Sequence, residues 1–304
     1  MNILTQLKTL LNDPSIEIET NIQSLWSGYG QIIRCNSKNL EKSYIVKVIA
    51  PDNKINHPRG WNTSTSHQRK LKSYQVETSF YQYYANKTDA YCKVPELISC
   101  QITDECTLLV MEDLDAAGYG ERKDIATWPE LSIAIRWLAY FHARFMNNSG
   151  AKLWPMGTYW HLATRQDELA AMPESNYKTH AELLNSTLNN AKYQTLVHGD
   201  AKFENLCFSN TKQAVAAVDF QYVGKGAGVK DLAYLVGSCL TEEKLNAFNH
   251  LILPEYLNHL SQALVYYKVD IDFDDLSQET HRLYPVAWAD FYRFLLGWNP
   301  ESWK

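Results

Sequence analysis

Up to about residue 113 the chain carries short apolar runs, rich in β-branched and aromatic residues and separated by turn residues. Segments 22–25, 31–35, 44–50 and 107–111 fit strands on that pattern. The exception is 71–84, where Val76, Phe80, Tyr83 and Tyr84 recur at helical intervals. Beyond Asp113 the apolar residues fall on a helical period. Leu131, Ile135, Leu138, His142 and Phe145 share one stripe of a helix expected over 130–146. Further helices are expected over 160–171, 176–190, 231–238 and 254–268. Residues 112–118 (Glu-Asp-Leu-Asp-Ala-Ala-Gly) join the two textures. The pattern predicts an α+β protein with a strand-rich lobe over 1–111, a hinge at 112–118 and a larger, mainly helical lobe over 119–304. A cleft between such lobes is where ligands tend to bind.

Composition narrows the class without identifying it. The chain has 304 residues, 45% apolar and 21% charged, which is ordinary for a globular protein. A net charge of −5 gives no reason to expect nucleic acid or a membrane as partner. The one basic cluster, Arg59 with His67, Arg69, Lys70 and Lys72, is expected to be a solvated loop and helix start. Six cysteines show no C-x-x-C pair, as expected of reduced thiols in a cytoplasmic protein. The first eleven residues have apolar positions at helical spacing but no signal-peptide core, and no run approaches the ~20 apolar residues of a membrane span.

The chemistry concentrates in one loop. His198-Gly199-Asp200-Ala201-Lys202-Phe203-Glu204-Asn205 sets a carboxylate, an ammonium and an amide at fixed intervals, and a hairpin after it ends on Asp219. Phosphoryl transfer from ATP needs such groups. Asp200 is placed to accept the proton of an acceptor hydroxyl, and Lys202 to neutralise charge on the moving phosphoryl group. Asn205 and Asp219 offer hard oxygen ligands to Mg²⁺. His198 is expected to brace the loop. Asp231 is expected to cap its own helix or to anchor the loop backbone.

Supporting signals lie upstream. Lys47 sits mid-strand among β-branched residues, where a charge is costly to bury unless paired. Between Asp52 and Asp89 the only acidic residue is Glu77, beside the apolar stripe of the one helix. A Lys47–Glu77 pair would hold the ammonium against the α- and β-phosphates. Ser27-Gly28-Tyr29-Gly30 lies between two strand-like runs, where backbone amides can approach phosphate; a plain turn accounts for it as well.

With their spacing, these residues resemble the aminoglycoside phosphotransferase and choline kinase-like superfamily, and within it the ecdysteroid kinase-like branch. The likeness rests on His198-Gly199-Asp200 with Asn205, Val218-Asp219-Phe220-Gln221, Lys230-Asp231-Leu232-Ala233, Glu112-Asp113-Leu114 and Leu138-Ala139-Tyr140-Phe141-His142-Ala143. It spans about residues 25–240. The resemblance implies a bilobal protein-kinase-like fold with a nucleotide-binding first lobe. It also implies ATP- and Mg²⁺-dependent phosphorylation of a hydroxyl on a small acceptor: an amino alcohol, sterol, sugar or aminoglycoside. Ser27, Gly28, Gly30, Lys47, Glu77 and Glu112 would then contact the nucleotide, Glu112 in the connector whose backbone faces adenine. By analogy with choline kinase-like enzymes, Trp288, Tyr292 and Trp298 with Asp290 would cage the acceptor; an amphipathic core helix explains the same stripe and is preferred. A protein kinase and a nucleotide-binding pseudokinase are the alternatives. Against a protein kinase stand Gly199 where an arginine is usual, Gln221 after Asp219-Phe220, and only eleven residues between Asp219 and Asp231.

Overall fold

The computed structural model describes residues 2–25, 28–50 and 64–298. The chain opens with helix α1 (Ile3–Leu10), then strands β1 (Ile16–Ser24), β2 (Gly30–Ser37) and β3 (Lys42–Ile49). Helix α2 (Ser64–Tyr83) precedes β4 (Leu97–Ile102) and β5 (Thr107–Glu112). The five strands form one antiparallel sheet in the order β1-β2-β3-β5-β4.

Side-chain alternation divides the faces of this sheet. Val46, Val48, Leu108 and Val110 meet Leu7 of α1 on one side. Ile49, Leu109 and Met111 pack on the other, in the cluster that holds Tyr74, Val76 and Phe80 of α2. Lys47 pairs in register with Leu109, two residues from Ile49, and therefore points to the α2 side.

Helices build the remainder: α3 (Trp128–Arg144), the short α4 (Gln166–Ala171), α5 (Asn176–Thr179) and α6 (Ala181–Asn189). Short strands β6 (Thr195–Val197), β7 (Leu206–Phe208), β8 (Val215–Ala217) and β9 (Gly224–Gly226) frame the loops between them. They pair as β6–β9 and β7–β8. Helices α7 (Val229–Cys239), α8 (Glu242–Tyr266) and α9 (Phe273–Trp298) complete the chain. This is an α+β arrangement, as the sequence pattern predicts: an antiparallel sheet with one buttressing helix, followed by a mainly helical body. Among the described residues no helix is long and apolar enough to cross a membrane.

Several elements depart from the sequence pattern, each for a physical reason. β1 starts six residues before the expected 22, and β4 was not expected at all. Most of β1 is exposed and β4 is mostly half-buried, so neither shows a continuous apolar run. α2 begins at Ser64 because its polar first half faces a cleft rather than a core. Segment 160–171 keeps only a single 3₁₀ turn and α4, and 176–190 breaks at His180 between α5 and α6. α8 runs through Pro254, which was expected to start it, and α9 runs through Pro285. α7 begins at Val229, so Asp231 lies inside its first turn and does not cap it.

Gly30 owes its identity to this packing. It has φ +137°, and a Cβ there would lie 1.9 Å from the Val48 carbonyl oxygen on β3. Gly30→Ala is expected to cost about 3 kcal/mol. A urea unfolding midpoint equal to that of the parent chain would show that β2 and β3 can move apart at no cost.

Candidate active site

The residues that carry chemistry meet in a cavity of about 760 Å³ bounded by the sheet, α2, the 198–205 loop and the end of α9. Its wall includes Lys47, Glu77, Asp200, Lys202, Asn205 and Asp219.

The loop is fixed from below by one carboxylate. Asp231, fully buried, accepts hydrogen bonds from the backbone amides of His198 (2.5 Å) and Gly199 (2.9 Å). His142 on α3 adds a third contact, Nε2 to Asp231 Oδ2 at 3.1 Å. A carboxylate only accepts, which assigns the proton to Nε2, and the Tyr256 hydroxyl on α8 serves Nδ1 at 2.8 Å. Of the two roles expected for Asp231, anchoring the loop is therefore the one realised. His198 is buried and braces the loop, its Nε2 3.0 Å from the Val218 carbonyl and its Nδ1 accepting the Asp200 amide at 3.2 Å.

Gly199 has φ +82°, and a Cβ there would stand 2.0 Å from the Tyr222 carbonyl oxygen and 3.0 Å from the Thr158 amide. An arginine before Asp200 is excluded on steric grounds alone.

Hairpin β7–β8 brings Asn205 and Asp219 together, with the Val218 amide donating to the Asn205 carbonyl at 3.0 Å. The Asn205 side-chain amide donates to Asp200, at 2.8 Å to the backbone oxygen and 3.3 Å to Oδ2. This commits its nitrogen and leaves its oxygen for a cation. Asp219, at φ +67°, is a non-glycine residue in left-handed backbone. Among the described residues no group of three His, Cys, Asp or Glu side chains could hold a metal ion. The donors available are one amide and one carboxylate oxygen. That set suits Mg²⁺, which keeps water and phosphate oxygens in its other positions.

From above, Lys47 Nζ contacts Glu77 Oε2 at 2.6 Å and Asp219 Oδ1 at 3.4 Å. Burial would push the lysine pKa down, but Glu77 and Asp219 outweigh it and hold it above its ordinary value. Glu77 is raised by burial, which exceeds the opposing pull of Lys47. Burial also raises Asp200, against the pull of Lys202 alongside. At Asp219 burial acts in the same sense, yet Lys47 and Lys70 prevail and keep that carboxyl below its usual range. The two acids are thus driven apart, Asp200 toward a proton acceptor and Asp219 toward a permanent anion.

The remaining expected contacts are less direct. Ser27 lies outside the described residues. Gly28 has φ +77° and its amide is engaged by the Leu25 carbonyl at 3.3 Å. Gly28 and Gly30 are absent from the cavity wall, which takes Leu25 and Tyr29 from this turn. Backbone geometry at Gly28, and contact with β3 at Gly30, account for these glycines without a ligand. Glu112 does line the wall, but its carboxylate is held by Lys93 Nζ (2.9 and 3.0 Å) and the Glu96 amide (3.1 Å). Of the tail aromatics, only Trp298 lines the cavity, with Phe291, Phe294 and Leu295 of the same α9 face. Trp288 packs on Tyr284 and Phe291, Tyr292 on Tyr177, and Asp290 pairs with Arg293. The amphipathic core helix, already preferred for that stripe, covers these three.

Arg69 and Lys70 correct the expectation of a solvated helix start. Both line the cavity. Lys70 Nζ donates to Gln221 Oε1 at 2.9 Å and lies 4.7 Å from the Tyr74 ring centre. Helical spacing from Glu77 back through Tyr74 and Lys70 to Ser66 was the signal available for this face. Arg165, Tyr159 and Tyr222 gave none, because contacts from distant segments alone bring them here.

Residues 144–269 match the model of the ecdysteroid kinase-like family, a stretch that holds Asp200, Asn205, Asp219 and Asp231. The match meets the resemblance carried by the motifs. No curated protein sequence matches the chain. Similar solved structures include an aminoglycoside-3'-phosphotransferase of type VIII, at 17% identity over 91% of this chain and 97% of that one, with TM-score 0.49. Another is an aminoglycoside phosphotransferase from Streptomyces rimosus solved with ADP and streptomycin (15%, 95% and 100%, TM-score 0.46). A third is a type I macrolide 2'-phosphotransferase (11%, 98% and 93%, TM-score 0.45).

Two outcomes test the electrostatics. Glu77→Ala leaves the buried Lys47 ammonium with Asp219 alone, at 3.4 Å, and is expected to cost about 3 kcal/mol, whereas Lys47→Met with Glu77→Leu recovers most of that loss. Equal unfolding midpoints for the single and double variants would exclude a buried pair. Burial also lowers the Lys70 pKa to about 8 from 10.5, with Asp219 pulling the other way. Between those values the unfolded chain holds more protons, so this lysine makes stability rise with pH. The gap between the parent chain and Lys70→Gln should therefore change in the parent's favour from pH 7.5 to 10, read from denaturation midpoints.

Proposed function

We propose that the protein is a kinase that uses ATP and Mg²⁺ to phosphorylate a hydroxyl group of a small-molecule acceptor. The observation that carries this reading is the convergence of Lys47–Glu77, Asp200, Lys202, Asn205 and Asp219 on one cavity. The ecdysteroid kinase-like match over residues 144–269 supports it.

In this reading the acceptor hydroxyl sits against Asp200, whose burial-raised pKa suits it to take the proton. The acceptor oxygen forms a new bond to the γ-phosphorus as the bond from that phosphorus to the bridging oxygen of ADP breaks. The proton ends on Asp200 and leaves to solvent with the products. Lys202 faces the negative charge of the moving group. Lys47, steered by Glu77, holds the α- and β-phosphates, and the backbone of 112–114 faces adenine. Mg²⁺ bound at Asn205 and Asp219 would supply charge neutralisation between the phosphates. In this reading the enzyme works in the cytoplasm and its partner is a small molecule rather than nucleic acid or a membrane.

A protein-kinase role is disfavoured by Gly199, which leaves no space for a side chain. ADP release with ATP, Mg²⁺ and mixed hydroxylated acceptors tests the proposal. Acceptor-dependent turnover is expected, and Asp200→Asn should lower it by about 10²–10⁴-fold. ATP binding with no turnover on any acceptor would instead indicate a nucleotide-binding pseudokinase.

A further inference from the structure

Among the described residues, one end of the cavity carries positive charge in excess of the carboxylates that meet it. Tyr159, Tyr222 and Tyr234 stand near Asp200, Tyr234 in hydrogen-bond contact with its carboxylate, and Phe294 and Trp298 pack on Tyr159; this aromatic wall meets the catalytic loop through the Tyr159 amide, which donates to the Gly199 carbonyl at 2.7 Å. Two arginines complete that wall. Arg165, on the turn before α4, is buried, with 2% of its side chain exposed, and Arg69 of α2 retains 12%.

Arg165 lies over the Tyr159 ring at 4.2 Å and near Trp298 at 5.2 Å, so its guanidinium plane is already stacked. It donates from Nε to the Tyr159 carbonyl at 2.8 Å and from Nη1 to Glu168 Oε1 at 2.8 Å. Arg69 donates to the Thr164 carbonyl at 2.5 Å and to Ser66 Oγ at 3.4 Å, and reaches the same Glu168 oxygen only at 3.8 Å. Among the described residues no other carboxylate lies within 4.0 Å of either guanidinium. Glu168 stands behind the arginines and does not line the cavity. Among the described residues two largely buried cations therefore share one anion.

A buried charge without a counter-ion is costly, and guanidinium groups match the planar oxygens of carboxylates. We infer that this wall is the acceptor subsite, and that it selects acceptors joining a flat apolar skeleton to an anionic group such as a carboxylate. It disfavours cationic acceptors. The assignment of the wall to the acceptor rests on the kinase reading; its charge preference does not. Lys47, Lys70 and Lys202 face the acids of the catalytic loop and hairpin, so the nucleotide phosphates have their own cations. Arg69 and Arg165 remain for the acceptor.

The test uses binding rather than turnover, so its failure is separable from failure of the kinase reading. Three matched probes, 2-naphthoate, 2-naphthamide and 2-naphthylmethylammonium, are titrated into the full-length protein saturated with ADP and Mg²⁺, and tryptophan fluorescence is followed. The expected order is carboxylate, then amide, then ammonium, with the carboxylate bound at least about tenfold tighter than the amide. Arg69→Gln should reduce that gap to about threefold or less, and Arg69→Lys, which keeps the charge, should retain more of it. Equal affinities, a reversed order, no binding of any probe, or a gap unchanged in Arg69→Gln would overturn the inference. Melting curves of each variant without probe report whether it has folded. If Arg69→Gln does not fold, the order on the unaltered protein decides.

Discussion

One buried carboxylate sets the geometry on which the site depends. Asp231 on α7 is removed from water, and its oxygens must find donors inside the protein. They find the amides of His198 and Gly199 and the imidazole of His142, itself tied to Tyr256. The requirement for full satisfaction thus draws α3, α7, α8 and the catalytic loop to one point. Asp200 emerges from that point on a backbone with no slack. Its orientation follows in part from α3 and α8, which contribute no residue to the cavity wall.

Above the loop a second constraint operates, through charge. Lys47 is buried beside apolar Ile45, Ile49, Leu109 and Met111, and its two acidic neighbours come from α2 and from the β7–β8 hairpin. Neither acid would be placed there by packing alone. Gln221 adds to the same junction by receiving Lys70 and Ser73 while donating to Asp219 at 2.6 Å. The residue that stands where protein kinases carry glycine therefore ties α2 to Asp219 at the end of the hairpin.

The catalytic loop was legible in sequence because its groups are a few residues apart, so local spacing carries their relation. The Lys47–Glu77 pair was legible for another reason: one buried cation had a single candidate partner. The sheet edges were not, since exposed and half-buried strands present no unbroken apolar run. Arg165 and Tyr159 were not legible either. Their role depends on α9 folding back across the turn before α4, a contact between segments more than 120 residues apart. The basic start of α2 misled because charge on a helix end is ordinarily solvated, and only the opposing wall makes it a lining. Pro254 misled likewise, since a helix long enough to be held on both sides tolerates one lost backbone bond.

Phe220, next to Asp219, lies flat against Phe80 of α2, ring centres 3.9 Å apart, and is flanked by Phe141 of α3 and by His198. These rings belong to one apolar cluster that extends without interruption from Leu25 beside the sheet to Ala287 on α9. The core therefore runs unbroken past the change of texture near residue 112, and loosening the α2 face of the sheet exposes the same rings that support the hairpin. A change at Phe80 or Phe141, on either side of residue 112, therefore reaches Asp219 through its neighbour Phe220.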